Sequence, residues 1–425
     1  MANIYQTRIR KILSKLNKER SGAALVISSA APVTKTRDLE HPFRQSSDFY
    51  YLTGSYGRNL ALVVKAGAKT PYLLSAPVDR VKVLWDGASP NPKKLAASLG
   101  AELIISPHPD REILKLLRDT ECLYFQNEPG TVAWKVANEL IRLPSHSRIY
   151  YPYRFHHSDL LLQQLRLHKD RHELRLMQIA ADVTVDSLLN TLPFINQKVC
   201  EEDVANSIDY FFKVNGCSPS FSTIVACGKS AATLHHHPGS KPLRRGELLL
   251  IDCGAEFQMY AADITRTVPV SGRFEPWQRD LYQVVLAGQH AALSKIKHGV
   301  LIESVYMAAA RTMLQGLLDM RVVRGKLSTL LNKKAYKEFF PHSIGHPLGL
   351  DVHDIGNMRG DSQARLESGM VFTVEPGLYF PKAKGTIKPC GIRIEDDVLV
   401  TKQGCELLTA AFPKGVNDIE ELMGS

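Results

Sequence analysis

The pattern of hydrophobic and polar residues predicts alternating strands and helices over the amino-terminal part of the chain. Short apolar runs bounded by polar or turn-forming residues are typical of strands that are buried on both faces. Between these runs lie stretches of helical period, such as residues 111–119, REILKLLRD. The strand-like runs are AALVIS (23–28), LALVVK (60–65), PYLLSA (71–76) and AELIIS (101–106). This alternation predicts an α/β domain.

A domain boundary is predicted near residue 165. Asp170 is followed three residues later by Glu173, which is the spacing of a capping box, and an amphipathic stretch comes next. At 425 residues the chain exceeds what one hydrophobic core usually covers, so two domains are expected. We predict an amino-terminal domain over residues 1–165 and a second domain over residues 166–425, where long helices alternate with antiparallel-looking strands.

Two aspartates belong to neighbouring strand-like runs of the second domain. Asp252 ends the apolar run of ELLLIDCG, and the chain turns at Gly254 and returns as YAADITRTVPV, which contains Asp263. An antiparallel hairpin would carry Asp263 back toward Asp252. A buried carboxylate needs a partner, so this pair indicates a site rather than plain packing.

Two glutamates nearer the carboxyl terminus also belong to strand-like runs. Glu375 ends the apolar run of MVFTVEPG, which Pro376 stops. The stretch GIRIEDDVLV (391–400) alternates, so we predict one strand with Arg393 and Glu395 on its polar face.

Histidines are concentrated in two segments of the second domain. HSIGHPLGLDVHD contains His346 and His353 in a stretch too broken by glycine and proline for one regular helix, and LHHHPG contains His235. One imidazole suffices as a metal ligand, and others could donate hydrogen bonds to a reacting carbonyl or its oxyanion. We interpret three further histidines as solvated or as partners of the ligands: His236, His237 and His342.

Four carboxylates and one imidazole that converge on one point would form a negative cluster that bound cations neutralise. Taken singly, each carboxylate could be a surface charge or a salt-bridge partner of Arg266 or Arg393. Their combination favours a metal site. The predicted ligands are Asp252, Asp263, His346, Glu375 and Glu395.

The order and spacing of these ligands, with HSIGHPLGLDVHD, TVEPGLYF and GIRIEDD around them, resemble the metallopeptidases of the pita-bread fold. The amino-terminal segment HPFRQSSDFYYLTG, the run Ala-Leu-Val-Val after it and Trp85 look like the first domain of bacterial-type aminopeptidase P. The resemblance spans nearly the whole chain. It implies an α/β, creatinase-like amino-terminal domain followed by an α+β pita-bread catalytic domain with a curved antiparallel sheet.

The resemblance also implies an activity and a role for each site residue. The implied enzyme is a dinuclear-metal aminopeptidase that releases the first residue from peptides with proline at the second position, by attack of a metal-bridging hydroxide. Asp252 and Asp263 would bind one metal, His346 and Glu375 would complete the second, and Asp263 and Glu395 would bridge them. The remaining implied roles are Glu375 as proton shuttle, His235 and His353 beside the substrate and the tetrahedral intermediate, Arg393 as an anchor beside Glu395, and Tyr379 near the substrate.

The cofactor and two alternative functions follow from the same residues. Hard carboxylate ligands with a single histidine favour manganese-like or magnesium-like ions over a thiolate-type zinc site, and the resemblance implies two manganese ions. The first alternative is prolidase, which cleaves only Xaa-Pro dipeptides. The second is a non-catalytic peptide-binding protein on the same fold, against which the intact ligand set argues.

Net charge and cysteine content bound the partners and the compartment. The net charge of +10 invites a nucleic-acid partner, but four apolar residues of the basic opening segment lie at helical spacing, namely Ile9, Ile12, Leu13 and Leu16. We therefore predict an amphipathic helix with its basic side in water, no nucleic-acid partner, and no membrane span, because no apolar run reaches about 20 residues. Seven cysteines without a CxxC pair favour the reducing cytoplasm. The resemblance implies a homodimer or homotetramer.

Overall fold

The structure is a computed structural model that describes residues 3–19, 22–144, 150–356 and 363–424. The chain divides into two compact units, Met1–Leu165 and Arg166–Ser425. None of the described helices is both long enough and apolar enough to cross a membrane.

The first unit contains a mixed six-stranded sheet. Its strands and those of a small exposed hairpin are β1 (Ala23–Ser28), β2 (Thr34–Thr36), β3 (Leu39–Glu40), β4 (Leu60–Lys65), β5 (Tyr72–Ser75), β6 (Glu102–Ile105), β7 (Cys122–Phe125) and β8 (Arg154–His157). The strand order of the sheet is β6-β5-β4-β1-β7-β8. Strand β1 pairs antiparallel with β4 and parallel with β7, so both faces of its six-residue apolar run are buried. All four runs that the sequence predicts as strands belong to this sheet.

Helices alternate with these strands along the chain or follow them. They are α1 (Ile4–Leu16), α2 (Ser47–Thr53), α3 (Arg80–Asp86), α4 (Pro92–Leu99), α5 (Pro109–Leu116), α6 (Val132–Arg142) and α7 (Asp159–Leu167). The predicted amphipathic helix is α1, which buries Ile9, Ile12 and Leu16. Its basic side is not entirely in water. Arg8 is buried, its guanidinium lies 4.0 Å from the ring centroid of Tyr51, and Nη1 donates to the Tyr51 carbonyl.

The second unit combines helices with short antiparallel strands. Its helices are α8 (Arg171–Thr191), α9 (Glu201–Val214), α10 (Pro276–Leu293), α11 (Ile302–Asp319), α12 (Leu327–Asn332) and α13 (Val416–Leu422). Its strands are β9 (Ser218–Pro219), β10 (Ile224–Cys227), β11 (Leu248–Cys253), β12 (Ala255–Phe257), β13 (Tyr260–Ala261), β14 (Ile264–Pro269), β15 (Val371–Val374), β16 (Gly377–Phe380), β17 (Cys390–Arg393), β18 (Asp396–Val400) and β19 (Cys405–Leu407).

The start of α8 shows how local sequence fixes an element of this unit. The Asp170 side chain accepts from the backbone N–H groups of His172 and Glu173, and Glu173 Oε2 accepts from the Asp170 N–H at 3.0 Å. These bonds satisfy helix N–H groups that have no partner within the helix. The predicted capping box is therefore confirmed.

Small antiparallel sheets form the β part of the unit, in the orders β10-β11-β14, β9-β12-β13, β15-β18-β19 and β16-β17. Hydrogen bonds join strand β14 of the first sheet to the end of β17 and to the break that follows it. Glu395 N–H donates to the Thr265 carbonyl at 3.0 Å, and the Thr267 hydroxyl donates to the Arg393 carbonyl at 3.1 Å. The second half of the unit is thereby fastened to the hairpin that carries both aspartates.

The prediction of one strand over residues 391–400 is wrong. The stretch is divided into β17, which pairs with β16, and β18, which pairs with β15 and β19. Ile394 and Glu395 lie at the break between the two strands. Residues 390–398 are all buried, on both faces of the predicted strand. The predicted polar face of the strand is therefore interior.

Candidate metal centre and active site

The five predicted ligands line one cavity of about 960 Å³ in the second unit. They come from three places in the chain: the β11–β14 hairpin, the segment around His346, and the paired strands near the carboxyl terminus. Hydrogen bonds and strand register bring these distant segments together.

The β11–β14 register brings the two aspartates together. Asp252 pairs with Thr265 and Cys253 with Ile264, so Asp263 lies just beyond the pairing, opposite Gly254. A Cβ on Gly254 would lie 1.7 Å from the Ala262 carbonyl oxygen, so the close approach of the two chains requires glycine. The predicted hairpin is present.

The two glutamates meet by the same logic. Val374 pairs with Asp396 and Gly377 with Arg393, so continuing either register sets Glu375 opposite Glu395. Both residues lie where the two-stranded ladder is interrupted. A break in pairing frees each carboxylate from the regular alternation of a sheet and directs both to one place.

His346 completes the central cluster. One ligand atom each from Asp263, His346 and Glu395 lies within 4.8 Å of the others. His346 Nε2 is 3.4 Å from Asp263 Oδ2 and 3.7 Å from Glu375 Oε1. His346 Nδ1 is 3.1 Å from the Pro347 carbonyl, to which it can only donate, so Nε2 is the nitrogen left to accept a cation.

Burial explains the electrostatics of the cluster. It raises the pKa of Asp263 well above the ordinary value, and the neighbouring carboxylate of Asp252 raises it further. Burial likewise raises the pKa of Glu395, and Asp263 and Glu375 act in the same direction. Four carboxylates in one buried cluster disfavour one another's charged form. Together they require compensating positive charge.

Unsatisfied oxygens show that a metal fits this donor set. Among the described residues, Asp252 Oδ1 and Asp263 Oδ1 are buried side-chain oxygens without a hydrogen-bond partner. Buried carboxylate oxygens normally have partners. Oxygen-rich ligands with one imidazole nitrogen suit hard divalent cations, so coordination would satisfy both oxygens.

Arg393 supplies part of the positive charge. Its Nη2 donates to Asp252 Oδ2, its Nε donates to the Thr265 hydroxyl at 3.0 Å, and its Nη1 donates to the Tyr379 hydroxyl at 3.0 Å. Burial lowers the pKa of Arg393, but Tyr379 and the neighbouring carboxylates raise it well above its ordinary value. Arg393 is therefore charged and holds Asp252.

Tyr379 and His342 form a pair behind this arginine. The Tyr379 hydroxyl lies 2.8 Å from His342 Nε2. Burial raises the pKa of Tyr379 to about 12. Burial, with Arg393, lowers the pKa of His342 to about 3, so His342 is neutral. His342 lines the cavity, and Tyr379 is absent from the side chains that line its described wall. His342 is thus a partly buried neighbour of Tyr379 on the cavity wall, and its Nδ1 lies 3.7 Å from Glu375 Oε2.

His353 and His235 lie on the cavity wall. The His353 ring is edge-on to the His346 ring, with centroids 4.3 Å apart. The next residue, Asp354, is buried and accepts from Lys169 Nζ at 3.3 Å and from Arg166, which anchors the segment that carries His353.

Glu201 is a residue whose importance the sequence did not reveal. Its buried carboxylate accepts from the N–H groups of Cys227 at 2.7 Å and Gly239 at 2.9 Å, and pairs with His236 Nε2 at 2.8 Å. These bonds hold both ends of the His235 loop against the start of α9. Only the presence of a glutamate at a helix start hinted at this, and such residues are common.

A second group lies behind the ligands, where Arg266 pairs with Asp396 rather than with a predicted ligand. Arg266 is fully buried, and its Nη2 donates to Asp396 Oδ1 at 2.8 Å while Nη1 donates to the Glu395 carbonyl. Asp396 also accepts from Lys414 Nζ at 2.6 Å and from Gln289 Nε2 at 2.9 Å. This network fixes the backbone on either side of Glu395.

Comparison with known proteins agrees with this geometry. Residues 175–402 match metallopeptidase family M24, and residues 5–124 match the aminopeptidase P amino-terminal domain. The chain is 35% identical to the Xaa-Pro aminopeptidase of Haemophilus influenzae, over 99% of this chain and 96% of that protein. It is 31% identical to the Xaa-Pro aminopeptidase of Escherichia coli, over 99% and 97%.

Solved structures give the same result. Pseudomonas aeruginosa aminopeptidase PepP superposes with a TM-score of 0.91 at 32% identity, covering 100% of this chain and 99% of that one. Zinc-substituted E. coli aminopeptidase P in complex with product gives a TM-score of 0.92 at 31% identity, covering 100% and 98%.

These matches confirm the predicted fold class, an α/β amino-terminal domain followed by a pita-bread catalytic domain. They also confirm a hydrolase: the protein is a metal-dependent aminopeptidase whose substrates are peptides, and the prolidase alternative is not favoured. The chain belongs to metallopeptidase family M24, in its aminopeptidase P branch.

Proposed function

We propose that this enzyme releases the first residue from peptides with proline at the second position and that it does so with two divalent ions, preferably manganese. The observation that carries the proposal is the buried cluster of Asp263, His346 and Glu395, with Glu375 and Asp252 on the same cavity wall. Asp252 and Asp263 would hold one ion, His346 and Glu375 the other, and Asp263 and Glu395 would contact both. When bound, such ions acidify a coordinated water and polarise the scissile carbonyl.

The chain's own residues account for proton transfer and orientation. Burial raises the pKa of Glu375, although His346 and Arg393 oppose the shift. A raised pKa favours the protonated form, which suits a carboxylate that takes up a proton and releases it again. Glu375 would carry the proton from the attacking water to the leaving nitrogen. The Thr373 hydroxyl, 3.3 Å from Glu375 Oε1, orients it.

Histidines would complete the site around the substrate. His353 and His235 lie on the cavity wall, where they could donate to the oxygen of the tetrahedral intermediate. Arg393 would hold Asp252 in place, because its Nη2 donates to Asp252 Oδ2. We propose that Tyr379 acts on the substrate through His342 and Arg393, because its hydroxyl touches both.

Metal content tests the number and the identity of the ions. We expect plasma mass spectrometry of the dialysed, manganese-loaded enzyme to find two ions per chain, with activity that rises as the sites fill. Loading the enzyme with zinc or magnesium instead, and measuring its activity, compares these ions with manganese. Full activity with one ion per chain would contradict the dinuclear proposal.

We also propose a homodimer or homotetramer, which the resemblance to aminopeptidase P implies. The amphipathic opening helix underlies our proposal of no nucleic-acid partner, and the seven cysteines without a CxxC pair underlie that of a cytoplasmic location. Light scattering on the purified enzyme distinguishes these assemblies from a monomer.

The anchoring of the histidine loop gives a separate expectation. In Glu201→Gln, one amide oxygen must replace two carboxylate oxygens that accept three bonds, so the His235 loop loosens. We expect kcat/KM to fall about tenfold, the equivalent of one charge-assisted hydrogen bond, with metal content unchanged.

Steady-state kinetics on one Xaa-Pro peptide checks this expectation. The neighbouring Glu202 is exposed, so Glu202→Gln is a matched control that should behave as wild type. If both variants lost the same activity, or if Glu201→Gln lost metal, the positioning role would be wrong.

A further inference from the structure

The active-site cavity extends beyond the five ligands to a wall built from α11 and the short helix Ala335–Glu338. The side chains of this distal wall are Glu303, Tyr306, Lys334, Tyr336 and Lys337. The mechanism described above uses none of them. Any substrate long enough to pass the reaction centre on this side would meet them.

An aromatic series connects the distal wall to the reaction centre. The rings of Tyr336 and Tyr306 are 5.8 Å apart, those of Tyr306 and Phe340 are stacked at 5.0 Å, and those of Phe340 and His342 meet edge-on at 4.9 Å. The Tyr306 hydroxyl donates to the Phe340 carbonyl at 3.5 Å. The wall is therefore packed against itself and offers a fixed surface.

The distal wall carries two lysines against one glutamate. Both lysines are exposed, and among the described residues neither has a carboxylate within 4.0 Å of its Nζ. Glu338, the nearest acidic residue in sequence, pairs with Lys384 at 2.6 Å instead. The two ammonium groups are thus available to an anionic ligand.

The backbone at Lys334 adds an independent observation. Lys334 has φ 53° and ψ 34°, the left-handed region that residues with a Cβ rarely adopt. It precedes the helix Ala335–Glu338, and its carbonyl accepts from the Lys337 N–H at 3.0 Å, so the turn brings the two lysines into one wall. Unfavourable backbone conformations of this kind persist where the surrounding structure imposes them, often at ligand sites.

We infer that the distal wall is a subsite for a carboxylate of the peptide substrate, with Lys334 and Lys337 as its cationic groups. The inference rests on the proposed function. A peptide substrate carries a carboxylate at its carboxyl terminus, and an acidic residue adds another, either of which suits the lysines. The distal wall thus has a charge complementary to a peptide carboxylate. The carboxylate could be the terminal group or an acidic side chain beyond the proline.

Four matched peptides separate these two sources. Ala-Pro-Ala as the free acid and as the amide tests the terminal carboxylate, whereas Ala-Pro-Glu-amide and Ala-Pro-Gln-amide test the side chain. For the manganese-loaded wild type we expect kcat/KM about fivefold higher for the carboxylate-bearing member of at least one pair, as for a solvent-accessible ion pair. This ratio should fall as salt is added.

Charge reversal should remove the preference selectively. In the double variant Lys334→Glu, Lys337→Glu, we expect kcat/KM on the preferred carboxylate peptide to fall about tenfold or more, with hydrolysis of Ala-Pro-Ala-amide changed by less than about twofold. Lys333→Glu is the matched control, because Lys333 is exposed on the same turn but is not among the described lining residues.

The outcomes distinguish this inference from the proposed function. Equal losses on all peptides, an unchanged ratio, or the same effect from Lys333→Glu would overturn the subsite. If wild type hydrolysed none of the peptides, the proposed function would fail instead. Calorimetric binding of the Ala-Pro-Ala acid and amide would then decide on the subsite alone, and equal affinities would overturn it.

Discussion

Glu395→Gln is expected to abolish metal binding and activity together while leaving the fold intact. Glu395 is 2% exposed and lies in the cluster with Asp263 and His346. A neutral amide cannot supply the negative charge of a carboxylate ligand, and the loss of several kcal/mol of electrostatic stabilisation corresponds to a fall in kcat/KM of about 10³-fold or more. Mass spectrometry of bound metal and peptide kinetics measure both effects.

The same substitution should not destabilise the metal-free protein. It removes one of four neighbouring buried carboxylates, whose mutual repulsion and burial raise the pKa of Glu395. We therefore expect the metal-free variant to unfold at a temperature equal to or above that of metal-free wild type. Glu406 is exposed on strand β19, so Glu406→Gln is the control and should retain both metal and activity. A manganese-free but fully active Glu395→Gln would refute the assigned role.

Of the proposed variants, Arg266→Met is expected to lower the free energy of unfolding the most. It leaves the buried Asp396 carboxylate without its arginine and leaves the Glu395 and Phe412 carbonyls without a donor. Removing one member of a buried ion pair typically costs about 3–5 kcal/mol. Urea unfolding of the metal-free protein, followed by a probe in the second unit, measures the change.

An arginine on the surface provides the comparison. Arg279 pairs with Glu420 at 2.9 Å, but its side chain is 37% exposed, so Arg279→Met should cost less than about 1 kcal/mol. Equal losses in the free energy of unfolding for the two variants would show that the buried Arg266 pair stabilises the protein no more than the surface pair does.

The same network predicts sensitivity to acid. Burial alone would raise the pKa of Asp396, but Arg266 and Lys414 lower it by more than burial raises it. The pKa of Asp396 in the folded protein therefore lies below its ordinary value. A group whose pKa is lowered on folding stabilises the protein fully above its unfolded pKa, about 3.9 for aspartate, and loses that contribution as the pH falls through the folded value. The Arg266→Met variant should lose less stability over this acid range.

Local patterns allowed much of the fold to be predicted. The strands of the amino-terminal sheet are continuous apolar runs because both faces of the sheet are covered. The capping box at Asp170 and the return of the chain from Asp252 to Asp263 are features of short range. Such features are encoded within a few residues, so one sequence suffices to find them.

Features that depend on distant partners could not be predicted in this way. The break at Ile394 and Glu395 is hidden because both faces of residues 390–398 are buried, so alternation carries no information on where pairing stops. The role of Glu201 could not be predicted either, because its hydrogen-bond partners are 26 to 38 residues away in the sequence. The left-handed backbone of Lys334 has no signal in residue type, since lysine does not favour it.

The candidate ligands could be named from the sequence because four carboxylates in or beside apolar runs are unusual. What the sequence could not show is how they are held. Strand register sets Glu375 opposite Glu395, and the Pro347 carbonyl orients the His346 ring. These are three-dimensional relations between separate strands and loops.

Release of the first amino acid from Arg-Pro-Pro and from the dipeptide Ala-Pro, by manganese-loaded enzyme with and without a chelator, tests the central claim most directly. We expect arginine to be released from Arg-Pro-Pro and this release to stop when the metal is chelated. Cleavage that survives complete removal of metal, or cleavage of Ala-Pro alone, would contradict a metal-dependent Xaa-Pro aminopeptidase.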